Sequence, residues 1–148
     1  MAGLSLIHLA QGDHRAARER LEHVLDLARA LGNRNWQYEA HLGLGRTLLA
    51  TGEPGPAAAA YEQALDLARA LDQAPDQVRA HDGLARAHRA LAHPDQARQH
   101  WHQALHILAA LGTGSVEDVT AAGTRANLAT LVASSCGWPE GTGGVTAR

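Results

Sequence analysis

The chain has 148 residues, of which 45 % are apolar, and it carries a formal net charge of −2 with no lysine at all. That length suits one domain with a continuous core, and a composition rich in alanine and leucine without phenylalanine favours helices over strands. The small net charge argues against a nucleic-acid-binding protein, and no apolar run approaches the ~20 residues that cross a bilayer.

Glycine and proline residues divide the chain into seven predicted helices. Pro54 and Pro94 stand where a helix begins, because proline is tolerated in the first helical turn. Gly112 follows the end of a long helix, where glycine relieves the strain of a left-handed C-cap. Ser115, with Asp118 three residues later, indicates a capping box that opens the last helix. The predicted helices span about 2–11, 14–31, 35–51, 55–71, 75–92, 95–111 and 116–134.

Three stretches with matching sequences lie forty residues apart, at 25–31, 65–71 and 105–111. Upstream of each stretch the same register holds, with Leu21, Tyr61 and Trp101 in equivalent places. A fixed period of self-similar apolar positions predicts an all-α fold, an α-solenoid whose antiparallel helix pairs bury their faces by stacking on neighbours. We expect about three repeats plus a closing helix. The predicted division is a helical repeat domain 1–134, with repeats 1–33, 34–73 and 74–113 and a closing helix 115–134, then a flexible glycine-rich tail 135–148.

The first predicted helix is apolar around much of its circumference. Leu4, Leu6, Ile7 and Leu9 spread over several faces, which suits burial on more than one side. A terminal repeat normally presents a polar outer face. We therefore expect the array to begin upstream, this chain being the C-terminal portion of a longer protein, and its first helix to favour self-association.

The helix pairs resemble tetratricopeptide repeats. Such a repeat carries Gly-Asp at the turn, an alanine early in the second helix, an aromatic residue or leucine four residues later, and another small residue beyond it. The middle unit fits this pattern with Gly52, Glu53, Ala57, Tyr61 and Ala64. The forty-residue unit is longer than the usual ~34 residues, and is similar to the repeats that follow the nucleotide-binding domains of bacterial signal-transducing ATPases.

Residues 97–112 are similar to the closing repeat of actinobacterial regulators of the antibiotic regulatory-protein (SARP) type. This resemblance implies a non-catalytic protein–protein interaction module, the regulatory C-terminal part of a bacterial transcription regulator. The segments that bind DNA or nucleotide in such regulators are missing from these residues, since there is no winged-helix segment and a phosphate loop needs a lysine. The implied partner is a peptide or a protein domain, with no direct contact to nucleic acid or membrane.

In tetratricopeptide arrays the first helix of each pair lines a concave groove that takes peptides. Carried over to this chain by register, the groove positions are Leu6, Leu9, Glu39, Leu42, Arg46, Leu49, Arg79, Asp82, Arg86, Arg89, Ala122 and Ala126. Arg46 and Arg86 hold equivalent places on neighbouring helices, ~8–10 Å apart, and guanidinium groups so presented bind carboxylates bidentately. The resemblance thus implies a groove for an acidic or C-terminal segment. The alternative is a solvated face on which Asp82 and Arg86 pair at i,i+4.

The ten histidines support a second hypothesis, a small-molecule or metal-responsive sensor. His102 and His106 have the i,i+4 spacing that can chelate an ion. The equivalent residues of the earlier repeats are acidic, as on an exposed face, and no third ligand is fixed nearby, so we predict no metal site. His41, His81 and His88 fall at positions between helices and are expected to pack there, where they could confer sensitivity to pH.

The one cysteine gives no support to an enzyme. Cys136 lacks an adjacent base or helix N-terminus that would activate its thiol, so we predict no catalytic residue and no cofactor. Because a single cysteine cannot form an internal disulfide, we expect a reducing compartment, the cytoplasm.

Overall fold

The structure, a computed structural model, describes residues 13–136. Its elements in chain order are α1 His14–Leu31, α2 Arg34–Ala50, α3 Pro54–Ala70, α4 Ala74–Ala90, α5 Pro94–Leu111, β1 Ser115–Val116, β2 Val119–Thr120 and α6 Ala121–Cys136. The helices from α1 to α5 begin and end within two residues of their predicted bounds. The predicted helix 2–11 lies outside the described residues, as does nearly all of the predicted tail 135–148.

The helices stack in chain order. Each helix from α2 to α5 packs on the one before it and the one after it, and α2 also contacts α4. Only two or three residues connect one helix to the next from α1 to α5, so neighbouring helices run antiparallel. Helix α2 pairs with α3, and α4 with α5. The predicted all-α solenoid of helix pairs is confirmed.

The helix ends follow the capping residues in the sequence. Asp13 Oδ1 accepts a hydrogen bond from the backbone N–H of Ala16 at 3.2 Å, which caps the start of α1. Gly32 and Gly112 end α1 and α5 with φ angles of 66° and 72°, in the left-handed region. At the equivalent end of α3, Asp72 takes a φ of 55° although it is not glycine.

The aromatic position of each repeat fills the space between helices. Tyr61 of α3 is 3 % exposed and its ring lies against Gly45 of α2 and Gly83 of α4. A Cβ atom at Gly83 would stand 2.2 Å from Tyr61 Cε1, and one at Gly45 would stand 2.8 Å from it. In the next space Trp101 of α5 is fully buried in a cluster with Leu131 of α6. The two glycines therefore let α2 and α4 both close onto one ring.

The predicted helix 116–134 is wrong over its first residues. Strands β1 and β2 pair antiparallel, α6 begins only at Ala121, and the predicted capping box does not form. Val116 and Val119 are β-branched and favour extended backbone. Val119 is buried in a cluster with Val78 of α4. The hairpin therefore covers this apolar surface of α4 in place of the first turn of the predicted helix.

Candidate ligand-binding groove

A cavity of about 340 Å³ lies between α2, α4 and the hairpin, and we call it the arginine groove. The charged residues that line it are Arg46, Arg79, Asp82, Arg86 and Asp118. Leu49 and Val119 add apolar surface to the same cavity. The lining thus combines three cations, two carboxylates and an aliphatic wall, a set that can hold an acidic peptide with a small apolar side chain.

The carboxylate of Asp82 is fixed by two hydrogen bonds. Its Oδ2 accepts from Arg86 Nε at 2.8 Å, one helical turn along α4, and its Oδ1 accepts from the indole Nε1 of Trp101 at 3.0 Å. The Asp82 side chain is only 14 % exposed, whereas that of Arg86 is 45 % exposed. Asp82 therefore orients Arg86 toward the groove and has little surface of its own for a ligand.

Arg79 is enclosed by acidic and aromatic neighbours. Its Nη1 lies 3.5 Å from Glu39 and 3.7 Å from Asp76, and its guanidinium carbon lies 5.9 Å from the centre of the Tyr38 ring. Burial lowers the pKa of Arg79, but Tyr38, Glu39, Glu117 and Asp76 outweigh that effect and raise it. Arg79 thus stays charged with its charge compensated by Glu39 and Asp76, and it serves the groove mainly as a wall.

Arg46 is the least tightly held of the three cations. Its side chain is 40 % exposed, and the ion pair that it makes in the described part of the chain is to Asp118 of the hairpin turn, with Nη2 to Oδ1 at 3.9 Å. A pair at that distance between exposed groups is weak. Arg46 and Arg86 therefore remain the two guanidinium groups that a carboxylate ligand can engage.

The structure brings five of the predicted groove residues to the arginine groove: Arg46, Leu49, Arg79, Asp82 and Arg86. Leu42 does not join them, because it is 1 % exposed and belongs to the core cluster around Tyr38. It lies on the face of α2 that packs inside the solenoid, so the assignment of Leu42 to the groove is corrected to a core position.

The remaining predicted positions lie around the groove or outside the described residues. The guanidinium carbon of Arg89 stands 5.0 Å from the centre of the Trp101 ring, and Glu39 is held by Arg79. Ala126 lines an adjacent cavity of about 230 Å³ that shares Asp118 with the groove. Ala122 is exposed, and Leu6 and Leu9 lie outside residues 13–136.

Five lining residues escape sequence reasoning: Ala50, Tyr61, Gly83, Asp118 and Val119. The repeat pattern places Tyr61 among the apolar positions that pack between helices, yet it also lines the cavity, and burial raises the pKa of Tyr61 to about 12. Asp118 and Val119 belong to the hairpin, which was predicted as helix. The signal that could have found them is the pair of β-branched valines, Val116 and Val119, flanking a two-residue acidic turn.

Comparison with known families agrees with the observed fold. Residues 1–70 match the tetratricopeptide repeat. No curated protein matches this chain. Tetratricopeptide repeats mediate protein–protein interaction and are a non-catalytic repeat fold. The pair of α4 with α5, which lies beyond residue 70, continues the same solenoid. The finer resemblance to antibiotic regulatory-protein regulators stays a prediction.

In the part of the chain that the structure describes, neither a membrane-spanning helix nor a metal-binding cluster is present. None of the helices there is long and apolar enough to cross a membrane. No group of three or more His, Cys, Asp or Glu side chains in residues 13–136 is arranged to hold a metal ion. His102 and His106 both lie on the exposed face of α5.

Four further histidines, at positions 81, 88, 93 and 100, cluster where α5 packs on α4. His81 Nδ1 lies 2.9 Å from His100 Nδ1, and His88 Nδ1 lies 3.4 Å from His93 Nδ1. The rings of His88 and His100 are stacked, with centroids 5.6 Å apart. Burial, aided by the neighbouring imidazole and by Arg69, lowers the pKa of His81 to about 4, and burial with His88 and Arg69 does the same for His100. The packing interpretation of His81 and His88 is confirmed, since both are buried.

Proposed function

We propose that this chain is a non-catalytic interaction module whose arginine groove binds an acidic segment of a protein partner. The observation that carries the proposal is the presence of Arg46 and Arg86, from equivalent positions of neighbouring repeats, in one cavity of about 340 Å³. Guanidinium groups bind carboxylates in a planar, two-pronged manner that an ammonium group cannot reproduce.

The groove is preorganised for such a ligand. Asp82 holds Arg86 by its Nε, and Trp101 in turn holds Asp82, so the Arg86 side chain loses little freedom on binding. Leu49 and Val119 form the apolar wall beside the arginines. The favoured ligand therefore carries aliphatic side chains next to its carboxylates.

The experiment that tests the groove is a peptide titration followed by fluorescence anisotropy. The probe is a labelled dodecapeptide with several Asp and Glu residues among aliphatic ones, beside a matched peptide in which Asn and Gln replace the acids. We expect the acidic peptide to bind more tightly, and the Arg46→Gln/Arg86→Gln variant to lose about tenfold or more in affinity, since two charged hydrogen-bonding groups are removed.

The matched control is Arg98→Gln. Arg98 is a partly exposed arginine of α5 that pairs with Asp95 at 2.7 Å and does not line the groove. Its replacement removes a similar charge from a different face and should leave the affinity within about twofold. If the wild type and the Arg46→Gln/Arg86→Gln variant bind the acidic peptide with equal affinity, the proposal that the groove binds the ligand is wrong.

We also propose that the module is the regulatory C-terminal part of a bacterial transcription regulator, located in the cytoplasm. This rests on the resemblance of residues 97–112 to the closing repeat of such regulators. The partner would then be an acidic segment or another domain of the same regulator. Mass spectrometry of proteins captured by the wild type, and lost from the Arg46→Glu/Arg86→Glu variant, tests this context. Recovery of a DNA-binding regulator among the captured proteins supports the regulator context. If every protein whose capture depends on the two arginines belongs to another class, the regulator context is contradicted.

A further inference from the structure

The hairpin places an acidic turn at the mouth of the arginine groove. The turn residues Glu117 and Asp118 connect β1 to β2, six residues after the end of α5. By the forty-residue register, the first helix of the next pair would start near residue 114, yet α6 starts at Ala121. A hairpin with two adjacent carboxylates stands where the repeat pattern would place helix.

Both carboxylates of the turn act on the arginines of the groove. Asp118 Oδ1 lies 3.9 Å from Arg46 Nη2, and Asp118 lines both cavities together with Arg86. Glu117 is among the groups that raise the pKa of Arg79. The two acidic residues thus contribute the same kind of charge to the groove that an acidic ligand would contribute.

The ion pair between Asp118 and Arg46 is weak enough for a ligand to replace it. The Asp118 side chain is 77 % exposed, and an exposed ion pair at 3.9 Å adds little to stability. The base of the hairpin, in contrast, is fixed by Val119, which is 5 % exposed and packs with Val78 and Leu108. The Asp118 side chain can therefore rotate away from Arg46 while the hairpin backbone stays in place.

The turn carries a carboxylate at a position whose backbone conformation favours glycine. Glu117 has a φ of 54°, in the left-handed region that glycine adopts more readily than any other residue. The chain therefore carries an acidic side chain at a position where glycine would form the turn with less strain. This places the negative charge of Glu117 where it acts on Arg79, at some cost to the turn.

We propose that the Glu117–Asp118 turn is an intramolecular ligand of the arginine groove, and that the acidic segment of the partner binds by displacing it. This inference rests on the proposed function of the groove. It names the partner's chemistry, two neighbouring carboxylates flanked by aliphatic side chains, as in the turn itself with Val116 and Val119. It also makes the turn a competitor that sets the affinity of the module.

The test compares the affinity of the labelled acidic dodecapeptide for the wild type and for Glu117→Gln/Asp118→Asn. These replacements keep the size of both side chains and remove only their charge. We expect the turn variant to bind the peptide about threefold to tenfold more tightly, the range that removal of weak competing ion pairs gives. The single variant Asp118→Asn should give part of this gain.

The matched control is Glu62→Gln/Asp66→Asn on the exposed face of α3, which removes the same two charges away from the groove. It should change the affinity by less than about twofold, which separates direct competition from the overall charge of the protein. Thermal melts followed by circular dichroism confirm that each variant is folded.

The possible outcomes separate this inference from the proposed function. The inference is supported if the turn variant binds the peptide more tightly than the wild type and the control variant keeps the wild-type affinity. It is also supported if the turn variant alone binds the peptide. If the turn variant and the wild type bind the peptide with equal affinity while the groove arginines are still required, the proposed function of the groove stands. That result overturns the proposal that the turn competes with the ligand. Weaker binding by the turn variant also overturns it, because the turn is then part of the binding surface. If no protein of the set binds the peptide, both proposals fail.

Discussion

The indole Nε1 of Trp101 donates a hydrogen bond to Asp82 Oδ1 at 3.0 Å, and the other oxygen of that carboxylate holds Arg86. A fully buried residue of α5 is thereby connected to an arginine that faces the groove on α4. Because Asp82 is only 14 % exposed, loss of either donor leaves a carboxylate oxygen poorly compensated. The packing of α5 on α4 and the orientation of Arg86 therefore both involve the Asp82 side chain.

The first prediction concerns that hydrogen bond. Trp101→Phe keeps an aromatic ring but removes the donor and part of the volume, so we expect the free energy of unfolding to fall by about 1–3 kcal/mol. The affinity for an acidic peptide should fall as well, since Arg86 is oriented less firmly. Urea denaturation and peptide titration measure the two effects. Trp36→Phe is the control, because Trp36 is 52 % exposed and should change stability by no more than ~0.5 kcal/mol. A Trp101→Phe protein as stable as the control would contradict the argument.

A second prediction follows from the close approach of Gly83 to Tyr61. In a helix, alanine normally stabilises relative to glycine by about 0.5–1 kcal/mol. A Cβ at residue 83 would stand 2.2 Å from Tyr61 Cε1, so Gly83→Ala should instead destabilise the protein by about 1–3 kcal/mol. Gly55→Ala in α3 is the control, because nothing lies within 4 Å of its added Cβ, and it should be neutral or stabilising. The measurement is again urea denaturation, and a stabilising Gly83→Ala would show that the ring moves aside freely.

A third prediction concerns the strained helix ends. Ala92 follows α4 with a φ of 62°, and Gly52 follows α2 with a φ of 80° at the equivalent place. Because a Cβ is unfavourable in the left-handed region, Ala92→Gly should raise the free energy of unfolding by about 0.5–1 kcal/mol. The reverse change, Gly52→Ala, should lower it by about 1 kcal/mol, as no neighbouring atom restricts the new Cβ and only the backbone conformation opposes it. Thermal or chemical denaturation of both variants should give shifts of opposite sign.

A fourth prediction is the dependence of stability on pH. The pKa of His81 and of His100 is about 4 in the folded protein, below the ordinary value of 6.5. Between pH 6.5 and about 4 the unfolded chain therefore binds more protons than the folded one, so stability falls as the pH falls through that window and is constant for these groups above it. Arg69 on α3 adds to this effect, whereas Glu62 opposes it at His88.

Urea denaturation at a series of pH values between 7.5 and 4.5 measures that dependence. His100→Gln should flatten the slope between pH 6.5 and 4.5, whatever it does to stability at neutral pH. A His100→Gln protein whose slope is as steep as that of the wild type would contradict the assignment to the buried cluster.

The sequence by itself determined the helices from α1 to α5, because their signals are local. Proline at the first helical turn, glycine past the last one and a period of apolar residues each act within a few residues of the chain. The repeat register also predicted that Arg46 and Arg86 share a surface, since equivalent residues of stacked units face the same way. The register could not show that Leu42 is buried, because it gives only the approximate direction in which a residue faces on its helix. The packing of the neighbouring helices decides which residues at the border of that face are covered.

Tertiary structure alone decided the end of the array and the electrostatics of the groove. Residues 115–120 carry both a capping pattern and β-branched valines, and the burial of Val119 against α4 and α5 decides between them in favour of the hairpin. That choice brings Asp118 to within 3.9 Å of Arg46, across seventy-two positions of sequence. The hydrogen bond of Trp101 to Asp82 is likewise set by how α5 lies on α4. Such contacts depend on how elements pack against one another, and propensity and periodicity do not encode them because both are properties of single elements.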